Sequence, residues 1–267
     1  MKDNTDYIID LIREHELQVF SIRQLEAIDK ELTKANYELI DDMTRRGILT
    51  RLRRGLYALN PHKDKRLQHM PNWHKVAEAL VYPKEYYIGF YSALQIHELI
   101  TQPALREYVV IKEQMYPKVR DVLGVPFELV YSKKDRFFGF SKQWINDHEK
   151  VYCSDIEKTI IDCLYRPQYS GGIEGIAKAI DKASKKIRPN VLVEYAIRYD
   201  VQAVMKRLGY ILEAMALYPT EQLILNQLIT DSYTPLDPSL KIKGRHHRKW
   251  RIEDNVDLDE LLQTVET

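Results

Sequence analysis

The sequence predicts an α+β chain, and three observations carry that expectation. Three short segments with apolar helical faces are followed directly by a tight hairpin. The charge then changes sign: residues 1–44 hold 5 basic and 11 acidic side chains, whereas residues 45–66 hold 8 basic and 1 acidic. Beyond residue 72, extended runs come first and helices last. Such blocks suit α+β better than the alternation of a doubly wound sheet.

The first helix fits Thr5 to Glu14, with Ile8, Ile9 and Ile12 on one face. Ser21 and Gln24 have capping-box spacing, and Leu25 and Ile28 follow as an apolar face. Thr33 is the expected N-cap of a third helix running to Arg46, with Ala35, Leu39 and Met43 inward. Gly47 stands where a helix C-cap glycine belongs. The period then changes. Ile48 to Arg53 reads as a strand, Arg54-Gly55 as a turn, and Leu56 to Leu59 as the return strand, which Asn60-Pro61 ends. Three helices and a hairpin in this order make a winged helix-turn-helix. Strand alternation puts Arg51 and Arg53 on one face and Thr50 and Leu52 on the other, with Leu52 expected on the third helix.

The expected organisation is a winged helix-turn-helix domain over 1–60, a linker over 61–72 between Pro61 and Pro71, and a larger mixed α+β domain over 73–267. In that larger part, Trp73–Val81 and Phe90–Leu99 read as helices. Glu107–Ile111, Phe127–Tyr131, Phe137–Ser141 and Lys150–Cys153 read as extended. The last third is helix-rich: a segment capped by Ser154, one marked by Ile173, Ile176 and Ile180, and a long one from Val201 to Met215.

Composition narrows the function classes. A chain of 267 residues can bury a sizeable core. Its net charge of +1 excludes a uniformly basic, histone-like protein and an acidic disordered one. No apolar run approaches the roughly 20 residues that span a bilayer. Met1 to Asp10 carries three aspartates and no apolar h-region, so it does not read as a signal peptide. Cys153 and Cys163 are too few for a disulfide framework and sit in apolar surroundings, as expected of reduced, buried thiols in a cytoplasmic protein.

Several segments, taken together, resemble the AbiEi family of antitoxins from type IV abortive-infection toxin–antitoxin systems. Arg54-Gly55-Leu56-Tyr57-Ala58-Leu59 is similar to the hairpin that ends that family's winged domain. Tyr87 to His97 resembles the first segment after it. Ser154 to Leu164, with Pro167 and Gly171-Gly172-Ile173-Glu174, resembles the central segment, and Lys249-Trp250-Arg251-Ile252 with Asn255-Val256 the tail. The likeness runs from about residue 5 to residue 262. It implies a DNA-binding N-terminal domain that represses its own operon. It also implies a C-terminal domain that counters a nucleotidyltransferase-like toxin of phage defence without a stable complex. The implied DNA is promoter sequence with inverted repeats. The alternative is a stand-alone winged-helix regulator whose larger domain senses a ligand or partner.

For DNA contact the residue types point to Lys34, Asn36 and Tyr37 at the start of the third helix. Residues there reach base edges in this motif, and Asn can read adenine bidentately. Arg45, Arg46, Arg51, Arg53 and Arg54 supply phosphate contacts. Glu38, Asp41 and Asp42 on the same helix repel phosphate unless they face away. A second candidate basic surface is Lys241, Lys243, Arg245, Arg248 and Lys249, with His246, His247 and Arg251 in the same acid-free run; DNA backbone or RNA would suit it, and a solvated segment balanced by the acidic stretch Glu253 to Glu260 fits it equally well.

Enzyme chemistry finds little footing. His97-Glu98-Leu99-Ile100-Thr101 has Thr where a zincin needs its second His. Asp155 and Glu157, two apart, are expected to diverge on a helix, and Lys158 and Asp162, four apart, to form a surface pair. Gly171-Gly172 without a following Lys is not a P-loop. The expectation is a non-enzymatic protein with no cofactor and no metal.

Overall fold

The computed structural model describes residues 4–29, 34–61, 71–258 and 262; for Asn4 and residues 34–36 it describes the backbone only. The architecture is mixed α+β. The N-terminal unit contains α1 (Asn4–Glu14), β1 (Val19–Ser21), α2 (Ile22–Ile28), α3 (Lys34–Arg45), β2 (Leu49–Arg53) and β3 (Leu56–Leu59). Its sheet is antiparallel in the order β1-β3-β2. Ser21 and Gln24 form the expected capping box: Ser21 Oγ accepts from the Gln24 N–H, and Gln24 Oε1 accepts from the Ser21 N–H at 2.7 Å. Gly47 and Gly55 both hold positive φ, 74° and 76°, which only glycine adopts without steric cost. The expected cap Thr33 lies outside the described residues.

The two faces of this small sheet have different partners. Phe20, Leu49 and Tyr57 pack with Ile8 and Ile12 of α1 and Ile40 and Met43 of α3. Val19, Leu52, Leu56 and Ala58 point the other way, into a core shared with α4 (Trp73–Val81) and the large sheet. Leu52 therefore does not pack on the third helix. The register slips between Arg51 and Arg53, where a bulge in β2 breaks strict alternation.

The large sheet has six strands, β4 (Tyr86–Ile88), β5 (Glu107–Ile111), β6 (Val119–Val122), β7 (Val125–Tyr131), β8 (Phe140–Trp144) and β9 (Lys150–Ser154). Their order is β6-β7-β5-β4-β9-β8; β4–β9 and β5–β7 pair in parallel and the others antiparallel. Successive side chains serve opposite faces. Ile88, Val109 and Ile111 face α4 and the N-terminal unit, whereas Tyr87, Tyr108 and Val110 face the helical layer. Burial on both sides explains the unbroken apolar run of Tyr108 to Ile111.

That layer comprises α5 (Phe90–Ile96), α6 (Ile156–Tyr165), α7 (Gly172–Ala183), α8 (Pro189–Tyr199), α9 (Gln202–Ala214) and α10 (Pro219–Leu228). Asp155, not Ser154, caps α6: its carboxylate accepts from the Lys158 N–H at 2.8 Å, and Ser154 is the last residue of β9. A small sheet of β10 (Thr234–Pro235), β11 (Arg245–His247) and β12 (Ile252–Asp254) closes the chain. Among the described residues no helix is long and apolar enough to cross a membrane.

Candidate nucleic-acid interface

The hairpin is fixed at both ends. At its base Thr50 Oγ1 donates to Asn60 Oδ1 at 2.8 Å, and Asn60 Nδ2 donates to the Gly47 carbonyl at 3.0 Å. At its tip the Ile22 N–H donates to the Gly55 carbonyl at 3.1 Å, tying the turn to the first residue of α2. Arg51, Arg53 and Arg54 project from this frame into solvent. Among the described residues none of the three is paired with a carboxylate.

Arg51 lies opposite Tyr57 in the ladder. Burial raises the Tyr57 phenol, while the charges of Arg51 and Asp41 act on it in opposite directions. Arg51 therefore stands on the α3 side of the sheet, whereas the bulge separates it from the register of Arg53.

Arg45 and Arg46 are in a different condition. Both approach Asp42 at 3.4 Å, so one carboxylate serves two guanidinium groups. Arg46 also donates to Thr5 Oγ1 at 3.2 Å, which ties α3 to α1. Such exposed pairs contribute only about 0–1 kcal/mol, but they lower the positive potential at the end of α3. Tyr37 is exposed and donates its hydroxyl to Glu26 on α2; that bond raises the phenol above its ordinary value. The side chains of Lys34 and Asn36 lie outside the described residues, as do Lys63, Lys65 and Arg66 in the expected linker.

Two further arginines stand beside the hairpin, and neither belongs to a basic run in the sequence. Arg23 is exposed on α2. Arg120, on β6, is lowered first by burial and then by the charge of Arg53. No sequence signal joins positions 53 and 120; the topology brings them together.

The second basic run divides. Arg245 pairs with Asp257 at 3.3 Å, Arg251 with Asp231 at 2.9 Å, and Lys249 with Glu213. His246 stacks on Tyr233 and His247 packs against Tyr210. Lys241, Lys243 and Arg248 are exposed, with no carboxylate paired to them among the described residues. Five of the eight residues of the run are therefore engaged with neighbouring side chains around β11 and β12.

The carboxylates of α6 also depart from expectation. Asp155 and Glu157 do not diverge. Because Asp155 is the cap, both reach Arg188, at 3.6 Å and 2.6 Å. Lys158 and Asp162 are not a surface pair: both are buried, in contact with each other. Lys158 Nζ lies 3.0 Å from the Tyr87 hydroxyl, and Asp162 accepts from Tyr87 at 2.9 Å and from Tyr199 at 3.0 Å. Burial lowers the Lys158 ammonium, against the pull of Asp162. The amide at the start of α7 is satisfied from within: Ile173 N–H faces Asp237 Oδ2 at 3.4 Å. Cys153 and Cys163 are buried free thiols raised by burial, the latter to about 12. His97 Nε2 lies 2.6 Å from the Ser154 carbonyl, so the ring donates there.

Of the segments on which the resemblance rests, Tyr87, Phe90, Lys158, Asp162 and Trp250 are buried, whereas Arg54, Glu174 and Lys249 are exposed.

No family model matches the chain, and no curated protein matches it. The crystal structure of the RV2827C protein from Mycobacterium tuberculosis is similar in fold, with a TM-score of 0.68 at 13% sequence identity, over 97% of this chain and 94% of that one.

Proposed function

We propose that the chain is a non-enzymatic, cytoplasmic DNA-binding autorepressor and antitoxin of the AbiEi kind. In this reading the N-terminal unit is a winged helix-turn-helix, and its hairpin is the wing that meets promoter DNA. One observation carries the DNA half: Arg51, Arg53 and Arg54 project together from one hairpin and, among the described residues, have no carboxylate partner, as is true of Lys241, Lys243 and Arg248, whereas Arg45, Arg46, Arg245, Lys249 and Arg251 all have one. Uncompensated cations on a rigid hairpin suit phosphates, whose neutralisation releases counterions.

The antitoxin half rests on the resemblance of the three body segments. It assigns residues 73–267 the task of countering a nucleotidyltransferase-like toxin without a lasting complex. A regulator with a sensing body is the second reading. A cavity of about 140 Å³ favours it, lined by Phe90, Val110 and Val130 with Lys133, Arg136, Asp162 and Arg166 as its charged groups, a mostly apolar wall with a few polar groups.

The test is binding to duplex from the chain's own upstream region over a series of salt concentrations. The variant is Arg51→Ala/Arg53→Ala/Arg54→Ala. The expected slope of log affinity against log salt is shallower in the variant by about 0.9 for each phosphate that is no longer neutralised. Equal slopes would remove the hairpin from the interface.

A further inference from the structure

A cavity of about 540 Å³ opens where the body begins. The first turn of α4 forms one wall, with Asn72, Trp73 and His74. The end of α5 forms the second, with Gln95, Ile96 and, just beyond the helix, Glu98. Ile145, next after β8, forms the third. Its size is that of a small-molecule site. Arg51, Arg53 and Arg54 do not line it.

His74 is 6% exposed, and its two ring nitrogens differ. Nδ1 lies 2.7 Å from Glu107 Oε1. Glu107 is fully buried, and its other oxygen has no partner. A buried carboxylate is costly unless a donor reaches it, so Nδ1 carries a proton and directs it at Glu107. That bond fixes the ring and leaves Nε2 as the open nitrogen. Nε2 has no partner among the described residues, yet it is not sealed in the interior as the second Glu107 oxygen is. The ring is part of the cavity wall.

The other polar groups are half-committed in the same way. Asn72 Oδ1 accepts from the His74 N–H at 3.0 Å, and Gln95 Oε1 from the Ala104 N–H at 3.1 Å. Each amide keeps its NH₂ as a donor. The carboxylate of the exposed Glu98 is an acceptor at the rim. Trp73, Ile96 and Ile145 are half-buried and supply apolar surface. Among the described residues no Lys or Arg lines the cavity. Acid charge without a cation repels phosphate. The acceptors, amide donors and indole together suit a flat ligand with N–H donors beside carbonyl or ring-nitrogen acceptors.

We infer that this cavity binds an uncharged nitrogen heterocycle of the nucleobase class, as the free base or nucleoside, with Trp73 against its ring plane and His74, held by Glu107, reading its edge. The site sits on the helix that the hairpin's sheet packs against, since α4 shares a core with Val19, Leu52 and Leu56.

The experiment titrates the full chain with adenosine, guanosine, cytidine and uridine, and with the corresponding monophosphates, by calorimetry and thermal melts. The variants are Trp73→Ala, Glu98→Gln and His74→Gln. The expected result is that at least one nucleoside binds saturably and raises the melting temperature of wild type. Trp73→Ala is expected to weaken that binding about tenfold, the share of ring stacking. Glu98→Gln and His74→Gln should each weaken it severalfold, and the monophosphate should bind less tightly than the nucleoside. If His74→Gln does not fold, the other two variants, which lie nearer the surface, carry the test. No binding of any nucleoside at millimolar concentration would overturn the site. Binding unchanged in both Trp73→Ala and Glu98→Gln would overturn its location. A monophosphate that binds more tightly than its nucleoside would overturn the ligand class. A preference for short single-stranded oligonucleotides over nucleosides would overturn the free ligand.

Discussion

The indole of Trp250 occupies the space where a side chain on Gly209 would stand. A Cβ built on Gly209 would lie 2.0 Å from Trp250 Cζ3. Trp250 is fully buried, and its Nε1 donates to Glu213 Oε2 at 2.9 Å. The tail is thus keyed into α9 by the one residue type that leaves room. Gly209→Ala is expected to cost roughly 3 kcal/mol or more, the upper range for overpacking. Chemical denaturation checks it; a loss below about 1 kcal/mol would show that the tail shifts freely.

The Lys158–Asp162 pair is expected to be asymmetric to mutation. Asp162→Ala leaves an ammonium in an aromatic cage of Tyr87, Phe138 and Tyr199. Breaking one half of a buried pair costs about 3–5 kcal/mol. Replacing both together, as Lys158→Met/Asp162→Asn, which keeps an acceptor for the Tyr87 and Tyr199 hydroxyls, is expected to recover most of that loss. A double variant less stable than either single one would refute the account.

Acid sensitivity is expected at Glu157. Burial pushes its carboxyl up, but hydrogen bonds and charge from Arg188 outweigh that and hold it below its ordinary value of 4.5. Its stabilising contribution is therefore complete above that value and is lost as pH falls through the lower, folded-state pKa. Asp155 acts in the opposite sense, being raised mainly by burial. Melting temperatures recorded from about pH 6 to about pH 3 should fall less steeply in Glu157→Gln than in wild type. Parallel curves would show that Arg188 contributes nothing to the acid limb.

Asp42 is expected to restrain DNA affinity. It draws on both Arg45 and Arg46. Asp42→Asn frees them and removes a charge that phosphate would meet, so binding at low salt should tighten several-fold with a steeper salt slope. Unchanged binding would place the end of α3 away from the duplex.

Local features were legible in the sequence, and long-range ones were not. Ser21 with Gln24, Gly47 and Gly55 announce themselves because a cap or a positive φ depends on one or two residues. Helices α1, α4, α7 and α9 show their period over several turns. β1, β4 and β6 are three or four residues long, too short for alternation to register. Pro189 and Pro219 open α8 and α10 at positions where proline is a start signal; α10 has only a weak apolar stripe, whereas α8 carries one at Leu192, Val193, Ala196 and Tyr199. The i,i+4 spacing of Lys158 and Asp162 fits a surface pair equally well. What buries them is Tyr87, Phe138 and Tyr199, distant in sequence. The arginines of the candidate interface were visible as a charge cluster, but which ones have carboxylate partners depends on the fold.

The two-faced sheet of the N-terminal unit bears on how the chain can be divided. Expressed alone, residues 1–60 would present Val19, Leu52, Leu56 and Ala58 to water, an adhesive face prone to self-association. Cut instead within residues 62–70, the two fragments keep that face covered by α4, and they are expected to co-purify as a non-covalent pair. The peptide connection is then dispensable for assembly: the halves recognise each other as a built-in heterodimer would.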